Sequence, residues 1–325
     1  MEIFMIIKHR KPPIPLQTID AIIARLPEGH SQLEELRYQA AIYQKGYNGE
    51  RKLDYHIRSL PDSFSILNDV TLTVFDNQFQ IDSLLITAHA IYIIEVKSLE
   101  GIVTFDPTLK QLTQNNGQKV EGRKYPITQV ENIQFHLLRW LQLHNLDGLP
   151  IYYFIAFSEQ STIVKVTGEE EAIRKVVSHV DEIPIRLMKL DGKLAQKKSG
   201  DNQRKNQIVH TVLRHCEDFT KNIISHHQIN KRDILPGVHC PNCNTLGMVR
   251  LRYKWQCEKC GNFSLDTHLN ALHDWTLIYG NKITNKQCRY FLKVKRTTAY
   301  SLLKGAEFKY CKKEDIWLID PDKLK

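Results

Sequence analysis

Three charged residues interrupt the largely apolar stretch QIDSLLITAHAIYIIEVKS, which spans residues 80–98: Asp82, Glu95 and Lys97. A charge buried in a strand is costly unless something pairs with it. If the stretch folds as an antiparallel hairpin in which paired residue numbers sum to 177, Asp82 lies directly opposite Glu95. Because side chains alternate along a strand, Lys97 shares the face of Glu95. The spacing therefore predicts two carboxylates and a lysine at one point of a sheet.

Two adjacent carboxylates repel each other unless a proton or a cation lies between them. Mg²⁺ prefers oxygen ligands and binds through one or two carboxylates together with substrate phosphate. We therefore expect Asp82 and Glu95 to hold Mg²⁺ or Mn²⁺, and Lys97 to assist the water that attacks a phosphodiester. The alternative is that Asp82 caps a turn while Glu95 and Lys97 form an ion pair at a sheet edge. A register slip of one residue would put the two carboxylates on opposite faces.

Helical and strand-like patterns alternate over the first part of the chain. Strands are expected near 65–75, 79–87, 90–98, 102–105 and 151–158, and helices near 32–60 and 128–144. Residues 106–124 are polar and turn-rich. These patterns predict a compact mixed sheet with helices around it that ends near residue 185.

The C-terminal part contains all seven cysteines, and four of them form two CxxC pairs. The paired cysteines are Cys240, Cys243, Cys257 and Cys260. Two such pairs on either side of a strand-like stretch, MVRLRYKWQ, are typical of a zinc ribbon with a structural, tetrahedral Zn²⁺. A redox-active CxxC pair is the alternative. The remaining cysteines lack partner spacing: they are Cys216, Cys288 and Cys311.

Residues 283–305 have the length and rhythm of a helix-turn-helix. Thr284 and Gln287 form a capping-box pattern at its start, and a second helix is expected from about Thr297. The hairpin-like segment that follows could form a wing. The residues expected to contact DNA are Lys295, Arg296, Thr298, Tyr300, Ser301 and Lys304. The alternative is a plain helical hairpin that closes the domain.

The net charge of +9 is spread unevenly along the 325 residues. Residues 1–185 contain 18 Lys and Arg against 23 Asp and Glu, whereas residues 186–325 contain 27 against 13. A basic C-terminal part favours a polyanionic partner, most simply nucleic acid. No stretch has the length of a membrane span, and the positive charges near the N-terminus follow the apolar run instead of preceding it as in a signal peptide. We therefore expect a cytoplasmic protein without a membrane partner.

The pattern Asp82 followed by Glu95-Val96-Lys97 resembles the PD-(D/E)xK nucleases, although no proline precedes Asp82. More closely, the chain resembles the nuclease-related domain (NERD) family. Four stretches within residues 40–158 carry this resemblance: GYNGERKLDYHI, QIDSLLIT, YIIEVKSLEGIVTFD and PITQVENIQFHLL. The segment from DILPGVHCPNC onward is also similar to the C-terminal part of some members.

The resemblance implies two further site residues. Nuclease folds of this kind often add an acidic residue from the preceding helix, a role that Glu50 fits, either as support for the metal or as a ligand of a second ion. They also often add a glutamine from the following helix, and Gln129 fits that position. The catalytic set implied by the resemblance is therefore Glu50, Asp82, Glu95, Lys97 and Gln129.

Together these patterns predict an α/β fold: a restriction-endonuclease-like mixed sheet flanked by helices, then a zinc ribbon and a small winged helix-turn-helix-like domain. The expected boundaries are 1–36 for a helical extension, 37–185 for the nuclease-like domain, 186–235 for a basic helical linker, 236–265 for the zinc ribbon and 266–325 for the helix-turn-helix with its hairpin. The predicted function is Mg²⁺-dependent hydrolysis of DNA. Two alternatives remain open, a nucleic-acid-binding or regulatory protein with a silent nuclease-like domain and an enzyme that acts on RNA; homo-oligomer formation is also left open.

Overall fold

The computed structural model describes residues 6–320 and Leu324, and these residues divide into two compact units. The first unit contains residues 6–12 and 44–219, and the second contains residues 13–43 and 220–320 with Leu324. The basic segment 186–235, predicted as a linker, is divided between the two units. The N-terminal residues 13–43 belong with the C-terminal part of the chain because Ile19, Ile22 and Leu36 share one apolar core with it.

The regular elements follow in chain order. The strands are β1 (Ile6–Lys8), β2 (Ser65–Val74), β3 (Asn77–Ile86), β4 (Ile91–Lys97), β5 (Ile102–Asp106), β6 (Gln111–Asn115), β7 (Val120–Arg123), β8 (Ile151–Phe157), β9 (Ile163–Val166), β10 (Val177–His179), β11 (Val249–Arg250), β12 (Trp255–Gln256), β13 (Phe263–Ser264), β14 (Lys282–Ile283), β15 (Lys309–Cys311) and β16 (Ile316–Leu318). The helices are α1 (Ile14–Ile23), α2 (Leu33–Ile57), α3 (Pro126–Leu143), α4 (Glu171–Val176), α5 (Ile183–Lys197), α6 (Asn202–His215), α7 (Ile223–His226), α8 (His268–Tyr279), α9 (Asn285–Leu292) and α10 (Arg296–Gly305).

A six-stranded mixed sheet forms the centre of the first unit, in the order β1-β2-β3-β4-β8-β10. β2, β3 and β4 are antiparallel neighbours, whereas β1 pairs with β2, and β8 with both β4 and β10, in parallel. Helices α3 and α6 pack against one face, and the second half of α2 packs with α5 against the other. This confirms the predicted mixed sheet flanked by helices.

A second sheet of four strands, in the order β7-β6-β5-β9, was not predicted. Residues 106–124, which the sequence marks as polar and turn-rich, contain β6 and β7. One of the two buried positions of β6 carries a polar side chain, Gln114, beside the apolar Leu112. Gln114 is buried, donates to the carbonyl oxygen of Glu100 and accepts a hydrogen bond from Arg123. The alternation of apolar and polar residues that indicates a half-buried strand is therefore weak there.

The second unit contains two small three-stranded sheets. β11, β12 and β13 form one beside the paired cysteines, and β14, β16 and β15, in that order, form the other. Along the chain, α8, β14, α9, α10, β15 and β16 follow one another, so two short helices lead into a hairpin as predicted. Thr284 and Gln287 form the capping box at the start of α9. Among the described residues, no helix combines the length and the apolar composition needed to cross a bilayer.

Gly49 lets α2 approach the ends of β4 and β8. A Cβ atom at this position would lie 2.5 Å from the Ser98 Oγ atom and 2.7 Å from the Ser158 Oγ atom, and these two hydroxyls are themselves hydrogen-bonded at 2.8 Å. A Cβ atom on Gly46, one turn earlier in the helix, would have no other atom within 4 Å. Of the two glycines in α2, close packing therefore requires Gly49 and not Gly46.

We predict that Gly49→Ala destabilises the protein by about 1–3 kcal/mol, because the added methyl group has to displace a bonded pair of serines. Gly46→Ala is the matched control and should be neutral or stabilising by up to about 1 kcal/mol through helix propensity alone. Urea unfolding of both variants gives the two free energies. Equal stability of the two variants would show that α2 does not need the close approach.

Candidate active site and cysteine cluster

The β3–β4 hairpin has the register predicted from the sequence. Ser83 pairs with Ile94 and Ile86 with Ile91, so paired residue numbers sum to 177. The backbone ladder ends at Ser83, although β4 continues along β8 for three more residues. Asp82 is the next residue, and its carboxylate accepts a hydrogen bond of 2.8 Å from the Val96 backbone N–H. The Asp82 carboxylate therefore binds β4 at the point where the two strands stop pairing.

Glu95, Lys97 and Gln129 form a closed hydrogen-bonded triangle. Lys97 Nζ donates to Glu95 Oε1 at 2.6 Å and to Gln129 Oε1 at 3.0 Å, and Gln129 Nε2 donates to the same Glu95 oxygen at 2.6 Å. Glu95 is 4% exposed, whereas the Lys97 side chain is 20% exposed. Gln129 lies in the first turn of α3, which begins at Pro126. The helix thus brings the predicted glutamine to the two strand residues.

Arg10 organises the other half of the site, and the sequence analysis did not identify it. Its guanidinium group, on a side chain that is 2% exposed, pairs with Glu50 at 2.6 Å, with Asp69 at 2.8 Å and with Asp54 at 2.9 Å. It also donates to the Asp82 carbonyl oxygen and to Ser83 Oγ, both at 2.9 Å. Arg10 therefore joins α2, carrying Glu50 and Asp54, to the strands that carry Asp69 and Asp82.

Asp54 and Asp69 were missed for different reasons. Asp54 lies one turn after Glu50 on α2, so helical spacing could have indicated that the two share a face. Asp69 interrupts the ladder between β2 and β3 and has a φ of +52°, a left-handed conformation that aspartate tolerates better than most residues. An aspartate in the middle of an apolar strand run was the available signal for this position.

Burial and mutual repulsion raise the pKa values of two carboxyl groups in the site, Glu50 and Glu95. Burial raises the pKa of Glu95 to about 7, the negative charge of Asp82 adds to this, and Lys97 only partly opposes it. Burial also raises the pKa of Glu50, with a further increase from Asp82 and a partial reversal by Arg10. The two cations that pair with the group, Arg10 and Lys97, thus do not fully compensate it.

This donor set fits a divalent cation. Asp82, Glu95 and Glu50 supply the oxygen ligands that Mg²⁺ and Mn²⁺ prefer, and a cation would relieve the repulsion that holds protons on Glu50 and Glu95. Each carboxylate has its own donors, and the oxygens of the three do not all lie within 4.8 Å of one another. Ion binding therefore requires these carboxylates to exchange some of their present hydrogen bonds for metal ligation.

The four paired cysteines come together in the second unit. Within the described ranges they form the one group of three or more candidate ligands whose donor atoms all lie within 4.8 Å of one another. The Sγ atoms of Cys240 and Cys260 are 3.6 Å apart, as are those of Cys243 and Cys257. Thiolates about 2.3 Å from a tetrahedral Zn²⁺ would lie about 3.8 Å from each other. The geometry is compatible with a zinc ribbon.

The residues predicted to contact DNA lie at the start of α10 and along it. Lys295 is the N-cap residue, and Phe291, Leu292 and Leu303 are buried beneath the two helices. One predicted residue, Thr298, is half-buried; the other five are exposed, namely Lys295, Arg296, Tyr300, Ser301 and Lys304. The helix thus has a buried apolar side and an exposed basic side.

Residues 45–158 match the sequence model of the nuclease-related domain. This stretch is a nuclease-related domain. It contains Glu50, Asp82, Glu95, Lys97 and Gln129, so all five residues carried over from the family resemblance lie inside the matched part. No curated protein and no solved structure matches the chain.

We predict that Arg10→Met destabilises the nuclease-related domain by about 3–5 kcal/mol, because it leaves three carboxylates without their buried partner. Lys52→Met is the control: Lys52 forms an exposed ion pair with Glu159, and its loss should cost no more than about 1 kcal/mol. Both values come from denaturant unfolding. A loss below about 1 kcal/mol for Arg10→Met would mean that the network is not what joins α2 to the sheet.

Mg²⁺ binding to the nuclease-related domain should strengthen with pH. Because the pKa of Glu95 is raised to about 7, the carboxyl holds a proton below that pH and must release it to become a ligand. Calorimetric titration should give a higher Mg²⁺ affinity at about pH 8 than at about pH 6, with proton release visible as a buffer-dependent enthalpy. Affinity that does not change with pH would show that Glu95 is not a ligand.

Metal analysis of the reduced protein should find one zinc per chain. Cys243→Ser should lose this zinc, since three thiolates and a hydroxyl form a much weaker site, whereas Cys311→Ser, outside the cluster, should retain it. Zinc-free wild-type protein, or equal zinc in the two variants, would contradict the assignment.

Proposed function

We propose that the protein is a Mg²⁺-dependent nuclease that hydrolyses phosphodiester bonds of DNA. The observation that carries the proposal is the triangle of Glu95, Lys97 and Gln129 beside Asp82, on a nuclease-related domain. Asp82 and Glu95 would hold the metal, with Glu50 supporting it or holding a second ion. Bound Mg²⁺ would lower the pKa of a water ligand and offset the charge that builds up on the phosphate.

Lys97 supplies the cationic donor of the site. An ammonium group has three N–H donors, and two of them bind Glu95 and Gln129. The third can orient the attacking water or bind a phosphate oxygen. Gln129 acts as a positioning residue, because it contacts both Glu95 and Lys97 and fixes the angle between them. Arg10 is likewise a positioning residue for Glu50, because its guanidinium group pairs with the Glu50 carboxylate at 2.6 Å.

The second unit would deliver the substrate. The exposed basic side of α10, from Lys295 to Lys304, suits phosphate and base-edge contacts in a duplex. Zn²⁺ held by the four cysteines would stabilise the adjacent small sheet without taking part in chemistry, since four thiolates leave no open coordination position. The proposal includes DNA in preference to RNA as the substrate and the cytoplasm as the location.

Cleavage assays test the proposal directly. Wild-type protein should cut supercoiled, linear or branched DNA with Mg²⁺ or Mn²⁺ and not with EDTA. Lys97→Ala and Asp82→Ala should lower the rate by about 10²-fold or more, while Lys52→Ala, on the same domain but in the exposed pair with Glu159, should cut at the wild-type rate. A wild-type protein that cuts none of these DNAs, or variants that cut equally well, would favour the silent, nucleic-acid-binding alternative.

A further inference from the structure

The small sheet beside the cysteine cluster has one buried and one exposed face. Residues Arg250, Trp255 and Ser264 are paired across its three strands and lie on the buried side, where Trp255 is fully covered and donates to His268. The neighbouring row, Val249, Gln256 and Phe263, therefore points the other way. Val249 is 42% exposed and Phe263 is 49% exposed.

The exposed row continues one step toward the hairpin turn. The Leu251 N–H donates to the Lys254 carbonyl oxygen, so the turn residues are Arg252 and Tyr253. Extending the observed register places Leu251, Lys254 and Leu265 beside one another on the exposed face. We call this surface the ribbon face; it consists of Val249, Leu251, Lys254, Gln256, Phe263 and Leu265. Its apolar residues lie on the two outer strands, and Lys254 and Gln256 lie between them on the central strand, so the face combines exposed apolar side chains with a cation.

Cations lie against both exposed rings at this surface. Lys254 Nζ is 3.6 Å from the ring centroid of Phe263, and the guanidinium carbon of Arg252 is 5.0 Å from the ring centroid of Tyr253. Residues 249–263 contain Arg250, Arg252, Lys254 and Lys259 against a single acid, Glu258. Each of these cations lies over the face of its ring, and a long flexible side chain of this kind can move aside to bind a phosphate while a base takes its place on the exposed ring.

We propose that the ribbon face and the adjoining hairpin turn bind single-stranded nucleic acid, with unpaired bases stacked on Phe263 of the face and Tyr253 of the turn, and phosphates bound by Lys254 and Arg252. Duplex DNA keeps its bases inside the helix and cannot stack them on exposed protein rings, whereas every unpaired base presents a π-face. A protein partner would use the apolar residues as well, but it would not require a cation over each exposed ring. This inference rests on the proposed function and refines it, because it makes the substrate a DNA with an unpaired segment.

Fluorescence anisotropy with the full-length Asp82→Ala protein, without added Mg²⁺, measures binding separately from cleavage. The probes are a labelled oligothymidine of about 20 nucleotides and a duplex of the same length. Phe263→Leu keeps the residue apolar but removes the ring, and should weaken oligothymidine binding by about 5- to 100-fold with little change for the duplex. Phe263→Tyr keeps the ring and should bind like the parent protein. Phe135→Leu removes a ring from α3 that is 58% exposed, against 49% for Phe263, and should have no effect.

Two further variants make the test decisive. Tyr253→Ser changes a turn residue that is 68% exposed, so it should weaken oligothymidine binding even if Phe263→Leu loses zinc or fails to fold. Arg296→Ala, on α10, should weaken duplex binding and leave oligothymidine binding unchanged. Unchanged oligothymidine affinity in both zinc-containing ring variants overturns the proposal.

Sedimentation velocity identifies the competing occupant, a second copy of the chain. Self-association that Phe263→Leu abolishes, with single-strand affinity intact, would make the ribbon face a protein interface and overturn the proposal. The two proposals also fail separately. A protein that binds oligothymidine through Phe263 but cuts no DNA contradicts only the nuclease, and one that cuts DNA but binds oligothymidine equally well without the rings contradicts only the stacking surface.

Discussion

The buried guanidinium of Arg10 is the interaction on which the candidate active site depends. Three carboxylates from two elements, Glu50 and Asp54 on α2 and Asp69 on β2, converge on one side chain that is almost fully enclosed. Buried acids tolerate one another only when a cation and hydrogen bonds compensate them. The planar fork of arginine does this with five N–H donors, whereas a lysine has only three. The position of Glu50 relative to Asp82 is therefore set by Arg10.

A second buried arginine has a comparable role in the other unit. Arg25 pairs with Asp274 at 2.7 Å, donates to the Gly237 carbonyl oxygen and lies 4.4 Å from the ring centroid of Phe291. It links α1 to α8 and α9, just as Arg10 links β1 to α2. Each unit thus uses one arginine from the first 25 residues to join an N-terminal segment to elements far along the chain. Such contacts place residues 6–12 in the first unit and residues 13–43 in the second.

The sequence predicted what depends on local pattern. The apolar runs of β3 and β4 are joined by a short turn, so the register of their hairpin followed from counting, although its ladder ends at Ser83, one residue short of Asp82. A helix was expected from about residue 128, and α3 begins at Pro126. Arg10 could not be found in this way, since 40 residues separate it from Glu50 and 72 from Asp82 along the chain. Nothing in a short window indicates that a charged residue will be enclosed by distant acids. β6 and β7 were missed for a local reason, because Gln114 occupies a buried position of β6 and β7 has no buried residue, so neither strand shows an apolar alternation.

The central claim is that Asp82 and Glu95 together bind one divalent ion on the nuclease-related domain. The most direct measurement is a crystal structure with Mn²⁺, in which anomalous scattering locates the ion independently of any activity. The account predicts an anomalous peak bonded to carboxylate oxygens of both Asp82 and Glu95, with Lys97 still in contact with Gln129. An ion bound elsewhere, or no ion at Asp82 and Glu95 at a Mn²⁺ concentration that saturates binding in solution, would contradict this claim.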